Sequence, residues 1–140
     1  MFQIRVVGEI AYLANGLGGL EIVDISEPRS PELISDISDI GEIKGIAVMG
    51  DRVYTCGTER GSKGSVIGFD VSDPRAPRKL AMRRLEIWSP FIAIEDTTGY
   101  VCNRKSGLVI LDLRKANFIR RVSSTATGHE PFAVAVDGDT

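Results

Sequence analysis

The chain has 140 residues, 43% of them apolar and 26% charged, and a formal net charge of −2. That suits one domain with its own core. It excludes a disordered tail and any bulk attraction for nucleic acid or anionic lipid. The longest charge-free run, Ile10–Leu20, is eleven residues with three glycines, too short for a membrane-spanning helix of about 20 apolar residues.

The first strands are predicted near Gln3–Val7, Ala11–Ala14, Leu20–Ile25 and Glu32–Ile37. They are short, rich in Val and Ile, and separated by Gly, Asn, Asp, Ser and Pro clusters. Between the second and third lies NGLGGL (Asn15–Leu20). It lacks both the GxGxxG spacing and the following helix of a phosphate-cradling loop, so it reads as a hairpin turn using glycine at positive φ. After the third comes DISEPRSPEL (Asp24–Leu33). Asp and Ser side chains accept backbone N–H groups in turns and Pro fixes φ. Asp24, and Asp70 in the related DVSDPRAPRKL, therefore read as turn formers rather than metal ligands, which for calcium would have to number six to eight oxygens.

The same order recurs over Ile46–Asp70 and Ile92–Asp112. Each segment holds an apolar run, a tyrosine (Tyr12, Tyr54, Tyr100), a small residue two places on (Ala14, Cys56, Cys102), a turn, and an apolar run ending in aspartate (Asp24, Asp70, Asp112). The tyrosines are 42 and then 46 residues apart and the aspartates 46 and then 42, so four extra residues sit in the TERGSKG stretch of the second unit. A fourth copy starts with PFAVAV at Pro131–Val136, matching PFIAIE at Pro90–Glu95. Fixed-period self-similarity of this length is a repeat architecture.

The connections are too short for parallel crossovers, so each unit is predicted to be an antiparallel meander. Ile46–Met49, Leu108–Leu111 and Ala133–Val136 are apolar on both faces, which requires burial on both faces. One meander cannot bury both its sides, so sheets must stack on sheets. Four-stranded units of about 40–45 residues stacked this way are β-propeller blades. A parallel β-helix is the competing repeat fold, but its coils are shorter and do not return antiparallel. LEIVDISEPRSPEL, with VVGEIAYLANGLGG before it, resembles the LVIVD repeat of bacterial and archaeal β-propellers, many of them secreted or on the cell surface. The resemblance covers nearly the whole chain and is strongest in the first unit. It implies a propeller fold and a secreted or cell-surface setting, and it carries over no catalytic residues.

The expected fold is all-β: residues 1–140 form one incomplete propeller, with blades at about 2–40, 44–86 and 90–124 and the first strand of a fourth at about 131–137. Propellers close with typically four to eight blades. The chain is therefore expected to be a fragment of a longer protein, or to self-associate through its open blade faces into a ring of about six blades from two copies. The start, Met1–Glu9, carries Arg5 and Glu9 and lacks the apolar stretch of a secretory signal.

Few residues offer chemistry. Two cysteines and one histidine suggest neither a disulfide scaffold nor a histidine metal cluster, and no cofactor is expected. Cys56 and Cys102 are equivalent in neighbouring units; such positions lie about 10 Å apart on stacked sheets, beyond disulfide reach. Met1–Ile46 has three basic and eight acidic residues, Ala47–Ile92 eight and five, and Ala93–Thr140 six and six. This is uneven, but it forms no basic stripe with aromatic interleaving. In a meander the second-to-third strand loop and the link to the next blade emerge on one side. Glu42, Trp88 and His129 fall at equivalent link positions, with Arg60, Lys63, Arg104 and Lys105 in the loops. Together they form the candidate recognition face for a protein or small-molecule ligand. The expected function is a non-catalytic binding or scaffold module. The alternative is a propeller hydrolase or lyase with channel-mouth acids and His129 as base.

Overall fold

A computed structural model describes residues 3–58, 63–86, 89 and 91–127. Among these residues the architecture is all-β: an incomplete propeller of three four-stranded antiparallel sheets, each a meander in chain order. The first holds β1 (Gln3–Val7), β2 (Ile10–Ala14), β3 (Leu20–Asp24) and β4 (Glu32–Ile37). The second holds β5 (Glu42–Met49), β6 (Arg52–Thr58), β7 (Gly64–Asp70) and β8 (Arg78–Leu85). The third holds β9 (Phe91–Glu95), β10 (Thr98–Asn103), β11 (Gly107–Asp112) and β12 (Arg120–Thr125). The fourth-unit strand expected at 131–137 lies outside the described residues.

The repeat is visible bond by bond. The first hairpin of each unit turns on two residues, the first left-handed: Gly8 (φ 59°), Gly50 (φ 57°) and Asp96 (φ 53°). The aspartate ending each third strand accepts the backbone N–H two residues on: Ser26 to Asp24 (2.8 Å), Ser72 to Asp70 (2.9 Å) and Arg114 to Asp112 (3.0 Å). The residue between donates back across the first hairpin, Ile25 to Glu9 O, Val71 to Asp51 O and Leu113 to Thr97 O, each at 2.8 Å. Each outer strand carries one extra residue opposite the same point of its partner: Ile34, Leu80 and Val122. A bulge there steepens the local twist and lets each sheet wrap the next.

Packing follows from stacking. The first strands β1, β5 and β9 lie beside one another and form the inner wall. Tyr12, Ala14, Leu20 and Ile22 of the first sheet meet Ile46, Val53, Ile67 and Phe69 of the second. On the second sheet's other face, Ala47, Tyr54, Cys56 and Val66 meet Ile92, Val101, Val109 and Leu111 of the third. Hence β6 and β7 are buried along nearly their whole length, whereas β11 alternates strictly. Polar struts cross each seam: Ile46 N donates to Gln3 Oε1 (2.8 Å), and Arg52 Nη1 donates to Leu113 O (2.7 Å) and to the Tyr54 hydroxyl (3.2 Å).

One residue in this core fits poorly. Thr55 is fully buried, and its hydroxyl has no hydrogen-bond partner among the described residues. The equivalent positions hold Leu13 and Val101. A buried unsatisfied hydroxyl costs about 1–3 kcal/mol. The isosteric Thr55→Val change is expected to raise stability by about 1 kcal/mol and the melting temperature by about 3 °C. Calorimetry reads this directly, and an unchanged or lowered melting temperature would show that the hydroxyl is satisfied.

Candidate functional site

The β2–β3 type turns and the inter-sheet links share one end of the stack and are bonded to each other there. In the first unit Gly16 and Ile43 exchange backbone hydrogen bonds of 2.9 Å. In the third, buried Asn103 donates from Nδ2 to Ser89 Oγ (3.0 Å), while its Oδ1 accepts from the backbone N–H of Lys105 and Ser106. Asn15 and Asn103 are equivalent residues. In the second unit that position is Gly57, where a Cβ would stand 1.9 Å from Glu42 O. The start of β5, paired alongside, passes so close that only glycine fits.

An open cleft of about 580 Å³ runs along β8 at the outer part of the seam between the first two sheets, from Arg84 at the link end to Lys79 near the other. One wall is the link Asp39–Gly41, with Asp39 (φ 62°) and Gly41 (φ 87°) both left-handed. The other is the loop residue Lys63 and the outer strand β8, through Lys79, Met82 and Arg84. Buried Ile67 lies at its floor. A second cavity, of about 440 Å³, lies by Asp112, Arg114 and Phe118, where Arg114 pairs with Asp112 at 2.7 Å.

Of the residues singled out from the sequence, Lys63 lines the cleft. Glu42 follows its link wall directly and pairs with Lys44 at 3.6 Å. Glu42 is the first residue of β5 rather than part of the link, because a bulge between Ile43 and Gly45 lets pairing run on to Thr58. Arg104 and Lys105 sit in the β10–β11 turn of the third sheet, away from this cleft. Arg60, Trp88 and His129 lie outside the described residues. The sequence reading missed Asp39, Lys79, Met82 and Arg84. Lys79, Met82 and Arg84 share a face only because the bulge at Leu80 shifts the alternation.

The three aspartates act as turn formers. The Ser26 hydrogen bonds hold the Asp24 carboxyl below its ordinary value. The bonds from Ser72 and Arg78 bring Asp70 to about 2, and those from Arg114 bring Asp112 to about 2. A carboxyl lowered on folding stabilises the fold fully above its unfolded value near 3.8 and loses that contribution as pH falls through the folded value. Acid titration is therefore expected to show stability falling between about pH 4 and 2. A triple Asp24→Asn, Asp70→Asn, Asp112→Asn variant keeps the turn acceptors and should lose most of that slope. An unchanged slope would place the acid-sensitive groups elsewhere.

Both cysteines are free and buried. Burial pushes both thiols up from their ordinary value, so neither supplies a thiolate at neutral pH. Among the described residues no three His, Cys, Asp or Glu side chains gather as metal ligands. No described helix is long and apolar enough to cross a membrane.

No curated protein matches the chain. The family model described as the LVIVD repeat matches residues 2–39, which span the whole first sheet. The first sheet is thus built on a stretch that matches the LVIVD repeat, and two further four-stranded sheets follow it in a propeller-like stack.

Proposed function

We propose that the chain is a non-catalytic binding and scaffold module of a repeat β-propeller protein, recognising its ligand at the link end of the stack. One observation carries this reading: the cleft between the first two sheets reaches that end, and link, loop and outer strand all contribute to it. Variable side chains on a frame of packed sheets are the usual construction of a binding face. Amide spectra recorded against a small-molecule library of mixed charge test the reading. Shifts are expected to gather at Asp39–Lys44, Lys63 and Arg84. Hits scattered evenly over both ends, or chemical turnover of a library member, would overturn it.

A second reading, self-association, is favoured by the outward face of the first sheet. Ile4, Val6 and Leu33 are 44%, 56% and 56% exposed, and they share that face with Leu13 and Val23. In the second sheet the positions equivalent to Ile4, Val6 and Val23 hold Ile46, Val48 and Phe69, which pack on a neighbour. Sedimentation velocity should show mass rising with concentration, and a Val6→Lys, Leu33→Lys variant remaining monomeric. A wild-type mass independent of concentration would exclude this reading.

A further inference from the structure

The two seams of the stack differ in charge at one equivalent place. In the outer strand of each following sheet, the residue opposite the third strand's last apolar residue is a cation: Lys79 opposite Phe69, and Arg121 opposite Leu111. At the seam between the second and third sheets, Arg121 Nη1 donates to Glu86 Oε1 at 2.5 Å, and Glu86 belongs to the link. Partial burial pushes the Glu86 carboxyl up, and hydrogen bonds, Arg121's among them, more than offset this and hold it below its ordinary value. At the seam between the first and second sheets the link residue equivalent to Glu86 is Ile40. Lys79 is left with a contact to Met82 Sδ at 3.9 Å, which replaces a carboxylate poorly.

That second arrangement is the cleft. Lys63, Lys79 and Arg84 line it with a single carboxylate, Asp39, among the described residues. Ile40, Ile67 and Met82 supply an apolar surface between them. Lys79, held by a thioether where its counterpart Arg121 holds a carboxylate, favours an anion, and the apolar surface favours a body that is not water. The volume suits a small organic molecule rather than a polymer. The geometry points to this cleft as a binding site for a small organic anion, one carboxylate or phosphate group on an apolar body. The anionic group would take the place that Glu86 fills at the other seam. This inference rests on the reading of the chain as a binding module, and it names that module's ligand class.

The experiment uses the full chain and three probes: phenyl phosphate, inorganic phosphate and benzyl alcohol. Amide and methyl spectra are followed through each titration. Phenyl phosphate is expected to give saturable shifts at Asp39–Gly41 and at the methyls of Ile40, Ile67 and Met82, tighter than inorganic phosphate by about tenfold. Benzyl alcohol should not saturate. Lys79→Met is expected to weaken phenyl phosphate about tenfold, the scale of one charge-assisted hydrogen bond. Ile40→Glu, which copies the carboxylate of the other seam, should abolish binding. Because Ile40 is partly packed on the core, each variant's melting curve is recorded, and Lys79→Met alone carries the test if Ile40→Glu unfolds. Absence of saturation, or unchanged binding in Lys79→Met, overturns the inference. If library hits still gather at the link end in that case, the binding-module reading survives and only the ligand class fails. If they do not, both fail.

Discussion

Tyr54→Ala is expected to cost about 3–5 kcal/mol, enough to remove much of the stability of a domain this size. Tyr54 is fully buried in the middle sheet and sits directly across from Gly68. Its ring covers that glycine: a Cβ on Gly68 would stand 2.8 Å from Tyr54 Cε1. It packs with Val101, Val109 and Leu111 of the third sheet, and its hydroxyl accepts from Arg52, which also reaches Leu113 O. Truncation would open a cavity, uncover Gly68 and remove one anchor of the Arg52 strut together. Tyr54→Phe separates these effects, since it keeps the ring and should cost only about 1 kcal/mol. Denaturant unfolding reads both. A loss under about 2 kcal/mol for the alanine variant would mean that the seam collapses to fill the space.

Gly19→Ala has the second large effect. Gly19 is left-handed, with φ 78°, and a Cβ there would meet Ile37 O at 2.0 Å. The obstacle is backbone, so it cannot swing aside. Conformational strain of about 1 kcal/mol and a steric term of about 1–3 kcal/mol add to roughly 3 kcal/mol. Gly8→Ala isolates the first term, because Gly8 has φ 59° and nothing within 4 Å of a Cβ. Gly57→Ala isolates the second, because its clash is with Glu42 O at 1.9 Å and its φ is not among the positive ones. Equal losses for Gly19→Ala and Gly8→Ala would show that the link can move away from the turn.

The repeat made most of this legible in advance. The predicted start of β2 and end of β3 fall within one residue of the observed ones. Asp24 and Asp70 form the turns their neighbours implied. The run Ile46–Met49, apolar without alternation, lies in the sheet that is covered on both faces. What stayed hidden depends on bulges. Strict alternation along Arg78–Leu85 sets Lys79 with Ala81 and Arg83; the extra residue Leu80 sets it instead with Met82 and Arg84. A bulge replaces one paired position by two at little local propensity difference, so composition does not mark it. The cleft follows from that shift and from the left-handed link at Asp39 and Gly41. The start of β5 at Glu42 follows from another bulge. Thr55 in a buried core was equally unreadable, since threonine is an ordinary strand residue.

The most direct measurement is a set of nuclear Overhauser contacts from two rings of the middle sheet. Phe69 is predicted to contact Tyr12, Leu20 and Ile22 and none of the third sheet's methyls, while Tyr54 contacts Val101, Val109 and Leu111 and none of the first sheet's. Contacts from both rings to the same neighbouring sheet, or between the first and third sheets' cores, would contradict a stack in which the middle sheet is packed between the first and the third.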